Sequence, residues 1–274
     1  MEIKGKVAVV TGAGSGIGQA AAFELARLEV AALALVDRAD SVQQVAAGIN
    51  DRAKKAIAFP FIGDATDGAF RRRVFDEIQQ KTSGLVPRIC IPAAGITRDA
   101  LSVRLDKTTG KASVYPDDLF RLVVEVNLVA PTYWALEMVA RIAEDRHRRA
   151  IGKWDPKNEK LQGTAIFIGS VSSQGNKGQL AYAATKRGLE GVAATLVKEA
   201  MFYGVKCAVI HPGFTDTPMV RALGQEFVEA HILPSTQLKR LIRPEEIGSA
   251  ICFMITNSAV SGEVWCDAGW HPSA

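Results

Sequence analysis

Short apolar runs and amphipathic, Ala/Leu-rich stretches alternate along this chain almost from its first residue. Residues 6–12 (KVAVVTG) form a continuous β-branched run, too short for a helix and suited to a strand covered on both faces. Residues 16–28 then carry apolar positions at helical spacing. The pattern predicts a second strand at 32–37, a helix at 41–51 and a third strand at 56–64. It continues through helix 67–80, strand 88–94, helix 117–143, strand 164–170, helix 180–203, strand 205–212, helix 244–255 and a last strand near 263–267. Such alternation specifies βαβ units, a parallel sheet and right-handed crossovers. No repeat, low-complexity tract or Pro/Gly linker divides the chain, so a single α/β domain over residues 1–274 is expected.

Two stretches break the rhythm. Residues 98–116 are polar, with a turn signal at Thr109-Gly110. Residues 144–163 set Arg146, Arg148, Arg149, Lys153, Lys157 and Lys160 against Glu144, Asp145, Asp155 and Glu159. A solvated loop accounts for the second stretch, and a basic patch for an anionic substrate tail is the functional alternative.

Composition narrows the picture. With 48% hydrophobic and 23% charged residues the chain is an ordinary globular sequence, too apolar for disorder. A chain of 274 residues buries roughly three quarters of its unfolded surface and needs no metal or disulfide staple. The charge balance, 33 basic against 29 acidic residues, is too even for a nucleic-acid partner. Cys90, Cys207, Cys252 and Cys266 lie far apart, without a CxxC or His/Cys cluster, so buried thiols and no metal site are expected. The amino terminus is charged within six residues, and no apolar run approaches the ~20 residues of a membrane span. A soluble, reducing, cytoplasmic setting with no membrane contact follows.

The first strand runs directly into Thr11-Gly12-Ala13-Gly14-Ser15-Gly16-Ile17-Gly18, inside which a helix begins. Glycines there permit a tight turn and close backbone approach to a pyrophosphate, which the helix N-terminus then holds. Nineteen positions after Gly18, Asp37 ends the second strand, where a carboxylate accepts both ribose hydroxyls of an adenosine. An N-cap or a salt bridge with Arg38 is the plainer role for Asp37. Tyr182 is followed at i+4 by Lys186, one helical face for both. A phenol acting near neutral pH benefits from a neighbouring ammonium. Twelve residues earlier Ser170 ends the predicted strand 164–170, at the carboxyl edge where open α/β sheets place ligands.

With these residues the chain resembles the short-chain dehydrogenase/reductase family across nearly its whole length. The matching residues are Thr11 to Gly18, Asp64-Ala65, Ala93-Ala94-Gly95, Asn127, Ser170, Tyr182-Ala-Ala-Thr-Lys186 and Pro212-Gly213-Phe214-Thr215-Asp216-Thr217. Within the family it looks most like 3-oxoacyl-carrier-protein reductases and hydroxyacyl-CoA or secondary-alcohol dehydrogenases. The resemblance implies a Rossmann-type, doubly wound parallel sheet and a nicotinamide cofactor. It makes Tyr182 the general acid and base at the substrate oxygen, with Lys186 lowering its pKa and binding the nicotinamide ribose. Ser170 would bind the substrate oxygen, and Asn127 a water linking Lys186 to solvent. The cofactor would meet Gly12, Ser15, Gly16, Ile17 and Gly18 at its phosphates, and Asp37 and Arg38 at its ribose. Asp64 and Ala65 would meet its adenine, Ala94 and Gly95 the backbone between, and Pro212, Gly213, Thr215 and Thr217 its nicotinamide end.

The chain departs from the family pattern at several places, among them longer segments from Gly95 to Asn127 and from Asn127 to Ser170. The usual Asn-Asn-Ala-Gly is Pro92-Ala93-Ala94-Gly95, which removes two side-chain amides and leaves backbone contacts. The Ser–Tyr gap is one residue short, so Ser172 rivals Ser170. The tail reads Cys266-Asp267-Ala268-Gly269-Trp270 where Val-Asp-Gly-Gly is frequent.

The leading expectation is an NAD-dependent oxidoreductase acting on a secondary alcohol or ketone, with NADP disfavoured by Asp37. The alternative substrate is a 3-oxoacyl thioester. A catalytically silent dinucleotide sensor would not need Asn127, Ser170, Tyr182 and Lys186 together, and an epimerase would need a larger segment after Pro212. The substrate loop falls at about 214–241, where Met219, Val220, Leu223, Phe227 and Ile232 either line an apolar pocket or pack a lid helix. A homodimer or homotetramer is expected, built on helices 117–143 and 180–203 through Ala183, Ala184, Gly188, Gly191 and Ala194.

Overall fold

A computed structural model describes residues 1–270. Strands β1 (Val7–Thr11), β2 (Ala32–Asp37), β3 (Ala58–Ile62), β4 (Pro87–Pro92), β7 (Gly163–Ile168), β8 (Val205–Pro212) and β9 (Gly262–Cys266) form one sheet, every pair parallel, in the order β3-β2-β1-β4-β7-β8-β9. The continuous apolar runs read from the sequence are strands covered on both faces, and all residues of β1, β7 and β8 are buried.

Odd and even strand positions feed two separate cores. One face carries Ala8, Val10, Leu33, Leu35, Ile89 and Ile91 beneath α1 (Gly16–Arg27), α2 (Ser41–Ala53) and α9 (Pro244–Thr256). The other carries Val9, Ala34, Val36, Cys90 and Phe167 beneath α3 (Gly68–Lys81), α5 (Ala130–Arg148) and α6 (Leu180–Glu199). The strand order reverses between β1 and β4, so their carboxyl ends diverge into a crevice.

Several boundaries differ from the sequence expectation. The helix predicted at 117–143 comprises α4 (Asp117–Val124), a π turn over Glu125–Val129 and α5, running on to Arg148. It reaches that far because Arg146, 1% exposed, turns inward to Gly152 O (2.6 Å) and Glu159 Oε1 (3.1 Å). By length and composition the 32-residue stretch Asp117–Arg148 could cross a membrane, which corrects the statement that no run approaches that length. Here it lies on the sheet, with Trp134, Ala135, Met138 and Ile142 buried. Residues 98–116, expected to be irregular, hold an antiparallel hairpin of β5 (Val103–Leu105) and β6 (Ala112–Val114).

The basic stretch 144–163 comprises the last turn of α5 and a loop that leads into the start of β7, at the amino edge of the sheet. Gln162 N donates to Gly204 O, and Arg88 at the start of β4 pairs with Asp145 at 2.7 Å. β7 has six residues, so this edge is about 20 Å from the carboxyl edge. The anion patch for a substrate tail is therefore overturned. Arg146 and Arg149 are engaged within the loop region, by Glu159 and Asp145. Cys90, Cys207 and Cys252 are buried free thiols, and desolvation pushes the last two up to about 12.

Candidate active site

The glycine-rich turn after β1 is shaped by contact. A Cβ at Gly18 would lie 2.2 Å from Gly12 O, so only glycine lets α1 come down onto the strand end. Gly12 has φ +64°, and a Cβ there would press on the Ala94 backbone at 2.7 Å. That backbone is held by Thr11, whose carbonyl accepts from Ala93 N–H (3.2 Å) and whose hydroxyl accepts from Ala94 N–H (3.1 Å). Main-chain bonds thus do the bracing where Ala93 and Ala94 lack amide side chains.

A cleft of about 380 Å³ runs across this switch point. It is lined by Gly12, Ser15, Gly16, Ile17, Gly18, Asp37, Arg38, Asp64, Ala65, Ala94, Gly95, Tyr182, Lys186 and Thr217. Pro212, Gly213 and Thr215 line instead an adjoining apolar pocket of about 130 Å³, together with Ser170, Ser172, Tyr182 and Thr217. Tyr182 and Thr217 border both spaces.

At the far end of the cleft, Asp37 Oδ2 accepts from Gly14 N–H (2.8 Å) and Oδ1 from Ala39 N–H (3.0 Å), so the carboxylate is oriented by the loop itself. It caps backbone and makes no salt bridge with Arg38 among the described residues. The Arg38 guanidinium is exposed and lies near Asp64, helping two hydrogen bonds from Thr66 to hold that carboxyl below its usual range. Ala65 O accepts from Trp134 Nε1 at 2.8 Å, which ties this wall to α5.

At the near end, Ser170 caps the 3-10 turn Val171–Gln174, its hydroxyl accepting from Ser172 N–H at 3.1 Å. Ser170 and Ser172 both line the pocket beside Tyr182, and Ser170 is the one that favours the ionised Tyr182 phenol. Enclosure nevertheless pushes Tyr182 up to about 12, with Ser170 opposing and the Asp99 carboxylate adding to the rise. Lys186 is buried, its Nζ donating to Ile168 O at 2.8 Å and lying 5.4 Å from the Tyr182 ring centroid. Burial brings its ammonium down to about 8. The contact that lowers Tyr182 in this geometry therefore comes from Ser170, because Lys186 is turned to the strand carbonyl. Asn127 sits in the π turn, fully buried, and binds both backbone groups of Ile96 (2.9 and 2.8 Å). A Cβ on Gly95 would be 3.4 Å from its Oδ1 and 3.8 Å from Lys186 Nζ.

Of the apolar loop residues, Met219, Val220 and Leu223 line the smaller pocket. Phe227 points to solvent and Ile232 is buried, so neither lines it. Met219 and Val220 belong to the short helix α7 (Pro218–Arg221), capped by Thr217, and Phe227 ends α8 (Gln225–Phe227). Sequence reasoning missed Asp99 and Gln179, which meet at 2.7 Å on the pocket wall, and Val126 on the cleft. Position alone could have found Gln179, the residue that precedes α6 by one. It also missed His211, fully buried behind Ser170, with Nδ1 3.2 Å from its N–H.

The short chain dehydrogenase family profile matches residues 6–227. The chain is 32% identical over 260 residues to a 3-oxoacyl-acyl-carrier-protein reductase of Pseudomonas aeruginosa, covering 94% of this chain and 93% of that one. It is 28% identical to a (3R)-3-hydroxyacyl-CoA dehydrogenase of Mus musculus, over 94% and 92% of the two chains. A crystal structure of a short-chain type dehydrogenase/reductase from Mycobacterium marinum superposes with a TM-score of 0.81 at 21% identity, covering 99% of this chain and 98% of the other.

Proposed function

For a chain that belongs to the short chain dehydrogenase family, and so is an oxidoreductase of the CH–OH/C=O pair, we propose hydride exchange between NAD and a secondary alcohol or its ketone. The observation that carries the proposal is Tyr182, which borders both the long cleft and the small apolar pocket and shares the pocket wall with Ser170. One space suits an extended dinucleotide and the other a small apolar substituent, so the phenol stands where the two would meet.

The residues fit a dinucleotide on the structure's own terms. The close approach of Gly18 to Gly12 opens the N-terminus of α1 to an anion, and Asp37 stands ready-oriented at the opposite end. When bound, the nicotinamide gives or takes the hydride. Tyr182 gives the proton to a ketone oxygen, or takes it from the alcohol, and Ser170 holds that oxygen beside it. In the free cleft the raised phenol pKa keeps Tyr182 protonated at neutral pH, the form that reduction needs. Lys186, close to its own pKa near neutrality, exchanges the replacement proton. Asn127, whose amide is committed to Ile96, would hold the connecting water at its main-chain carbonyl. Thr215 and Thr217 would close the nicotinamide end. A homodimer or homotetramer in a soluble, cytoplasmic setting completes the reading, with no nucleic-acid or membrane partner.

A second reading, reduction of a 3-oxoacyl thioester, draws support from the names of the relatives at 32% and 28% identity. Exposed cations near the pocket, among them Arg98 and Lys177, would supply its phosphate contacts rather than residues 144–163. A panel of small ketones, cyclic alcohols and 3-oxoacyl thioesters, followed by the absorbance of reduced nicotinamide, separates the two. Turnover confined to thioesters would replace the leading substrate class, and no turnover with any compound would reject hydride exchange on these classes altogether.

A further inference from the structure

We propose that Glu190, His211 and Glu263 form a divalent-cation site at the sheet edge, apart from the catalytic cleft. The three come from α6, β8 and β9, and their ligand atoms all lie within 4.8 Å of one another. His211 Nε2 is 3.2 Å from Glu263 Oε2 and 3.8 Å from Glu190 Oε1. Ligands about 2.0–2.2 Å from a zinc ion at tetrahedral angles stand about 3.3–3.6 Å from each other, so a small swing of one carboxylate completes three corners. The Glu263 side chain is 39% exposed, so water and a cation can reach the cluster from that side.

Buried orphan atoms point to a ligand. His211 is 0% and Glu190 8% exposed, yet His211 Nε2 and Glu190 Oε1 have no hydrogen-bond partner among the described residues. Such groups are costly unless something satisfies them. The other carboxylate oxygen of Glu190 is taken by Arg187 at 2.5 Å, so Oε1 alone faces inward. Two carboxylates against that one guanidinium leave the site net negative.

The imidazole is already held in position. Trp265 stacks on it at 4.2 Å and 13°, and Nδ1 lies between Ser170 N (3.2 Å) and Ser170 O (3.1 Å). With the ring proton on Nδ1, donated to Ser170 O, the Nε2 lone pair points at two carboxylates. That tautomer leaves Nε2 open to a cation, whereas the tautomer that accepts from Ser170 N–H at Nδ1 turns its Nε2–H toward Glu263. A ligating imidazole characteristically gives its other N–H to such a carbonyl, so a bound ion would select the first. One imidazole with two carboxylates suits zinc or manganese better than calcium, which takes oxygen ligands.

Equilibrium dialysis of the full-length, chelator-stripped protein against Zn²⁺, with metal per chain measured by mass spectrometry, tests the site. One equivalent should bind to wild type and to the exposed control Glu245→Gln. His211→Gln and Glu263→Gln should each weaken it at least about tenfold, since even outer partners of a ligand are worth 10–100-fold. Co²⁺ should quench the tryptophan fluorescence, and Trp265→Phe should remove most of that quenching. If His211→Gln fails to fold, Glu263→Gln carries the test from its solvent-facing position. Wild type binding no equivalent, or both variants binding as wild type does, would overturn the site.

Discussion

At the scale of single residues, Tyr182 is where proton and hydride chemistry would be joined, and its hydroxyl is the part that Tyr182→Phe removes with little loss of volume. The variant should bind cofactor as wild type does while kcat falls about 10²–10⁴-fold. A variant keeping half the wild-type kcat would refute the assignment. In the proposed reading Asp37 would select the cofactor. Its oxygens are aimed by Gly14 and Ala39, and a 2′-phosphate placed on them would meet repulsion of ~4 kcal/mol at 4 Å and an effective dielectric near 20. Arg38 is drawn toward Asp64 and stands free in solvent. NAD should therefore show the higher kcat/KM, and Asp37→Ser should narrow the ratio. A ratio unmoved by that substitution would give the ribose to another residue.

Lys186 makes a stability prediction. Its ammonium titrates near 8 when folded against 10.5 ordinarily, so below about pH 8 the folded state bears the cost of a buried charge. Between about 8 and 10.5 the folded chain releases the proton while the unfolded chain keeps it, and the folded state gains stability as pH rises. The buried cysteines act oppositely above about pH 9 and Tyr182 above 10, in wild type and variant alike, so the difference between the two proteins isolates the lysine. Lys186→Met should be more stable than wild type at pH 7 by roughly 2 kcal/mol, after offsetting the lost hydrogen bond to Ile168 O. Denaturant unfolding should show that gap shrinking toward pH 10, and a gap constant with pH would reject the buried charge.

At the scale of elements, the close seat of α1 on the end of β1 makes the dinucleotide cleft. Gly18→Ala must drive a methyl into Gly12 O, and the helix has no room to yield, because Ala20 and Ala21 already lie against Gly248 of α9. Overpacking of this kind costs about 1–3 kcal/mol. Calorimetry should show a lowered Tm and titration a weakened cofactor Kd, and a variant with unchanged Kd would separate the cleft from this junction. The π turn Glu125–Val129 is a second such device. Its wider winding lets Asn127 turn inward to both backbone groups of Ile96, behind the cleft.

At the scale of the whole molecule, α6 presents Ala184, Gly191 and Ala194 to solvent, and a Cβ at Gly191 would meet nothing within 4 Å. The small-residue face therefore does not serve to pack this chain on its own sheet, Gly188 against Leu128 excepted. Leu122 and Tyr133, on α4 and α5, are exposed as well. Light scattering at micromolar concentration should give a dimer or tetramer of the 29.4 kDa chain, and a Gly191→Arg variant should shift it toward monomer. A 29.4 kDa species from wild type would reject the oligomer.

Alternation of buried strand runs with amphipathic helices was enough to predict the parallel sheet, since covering on both faces and crossover handedness are local consequences of that pattern. The glycine turn, Asp37, Ser170, Tyr182 and Lys186 could also be read, because each stands at a strand end or at a fixed helical spacing. Other features depended on distance through space. Helix 117–148 resembles a membrane span in composition, and only the sheet beneath Trp134 and Met138 makes it a core helix. The basic run 144–163 kept its charges but lost its suggested role, because it follows a helix into the amino edge of the sheet, the end away from the cleft. The expectation of no metal ligands rested on sequence clusters, while Glu190, His211 and Glu263 are separated by 21 and 52 positions. Parallel pairing of β8 with β9 beneath α6 is what brings them together, and no spacing along the chain encodes that meeting.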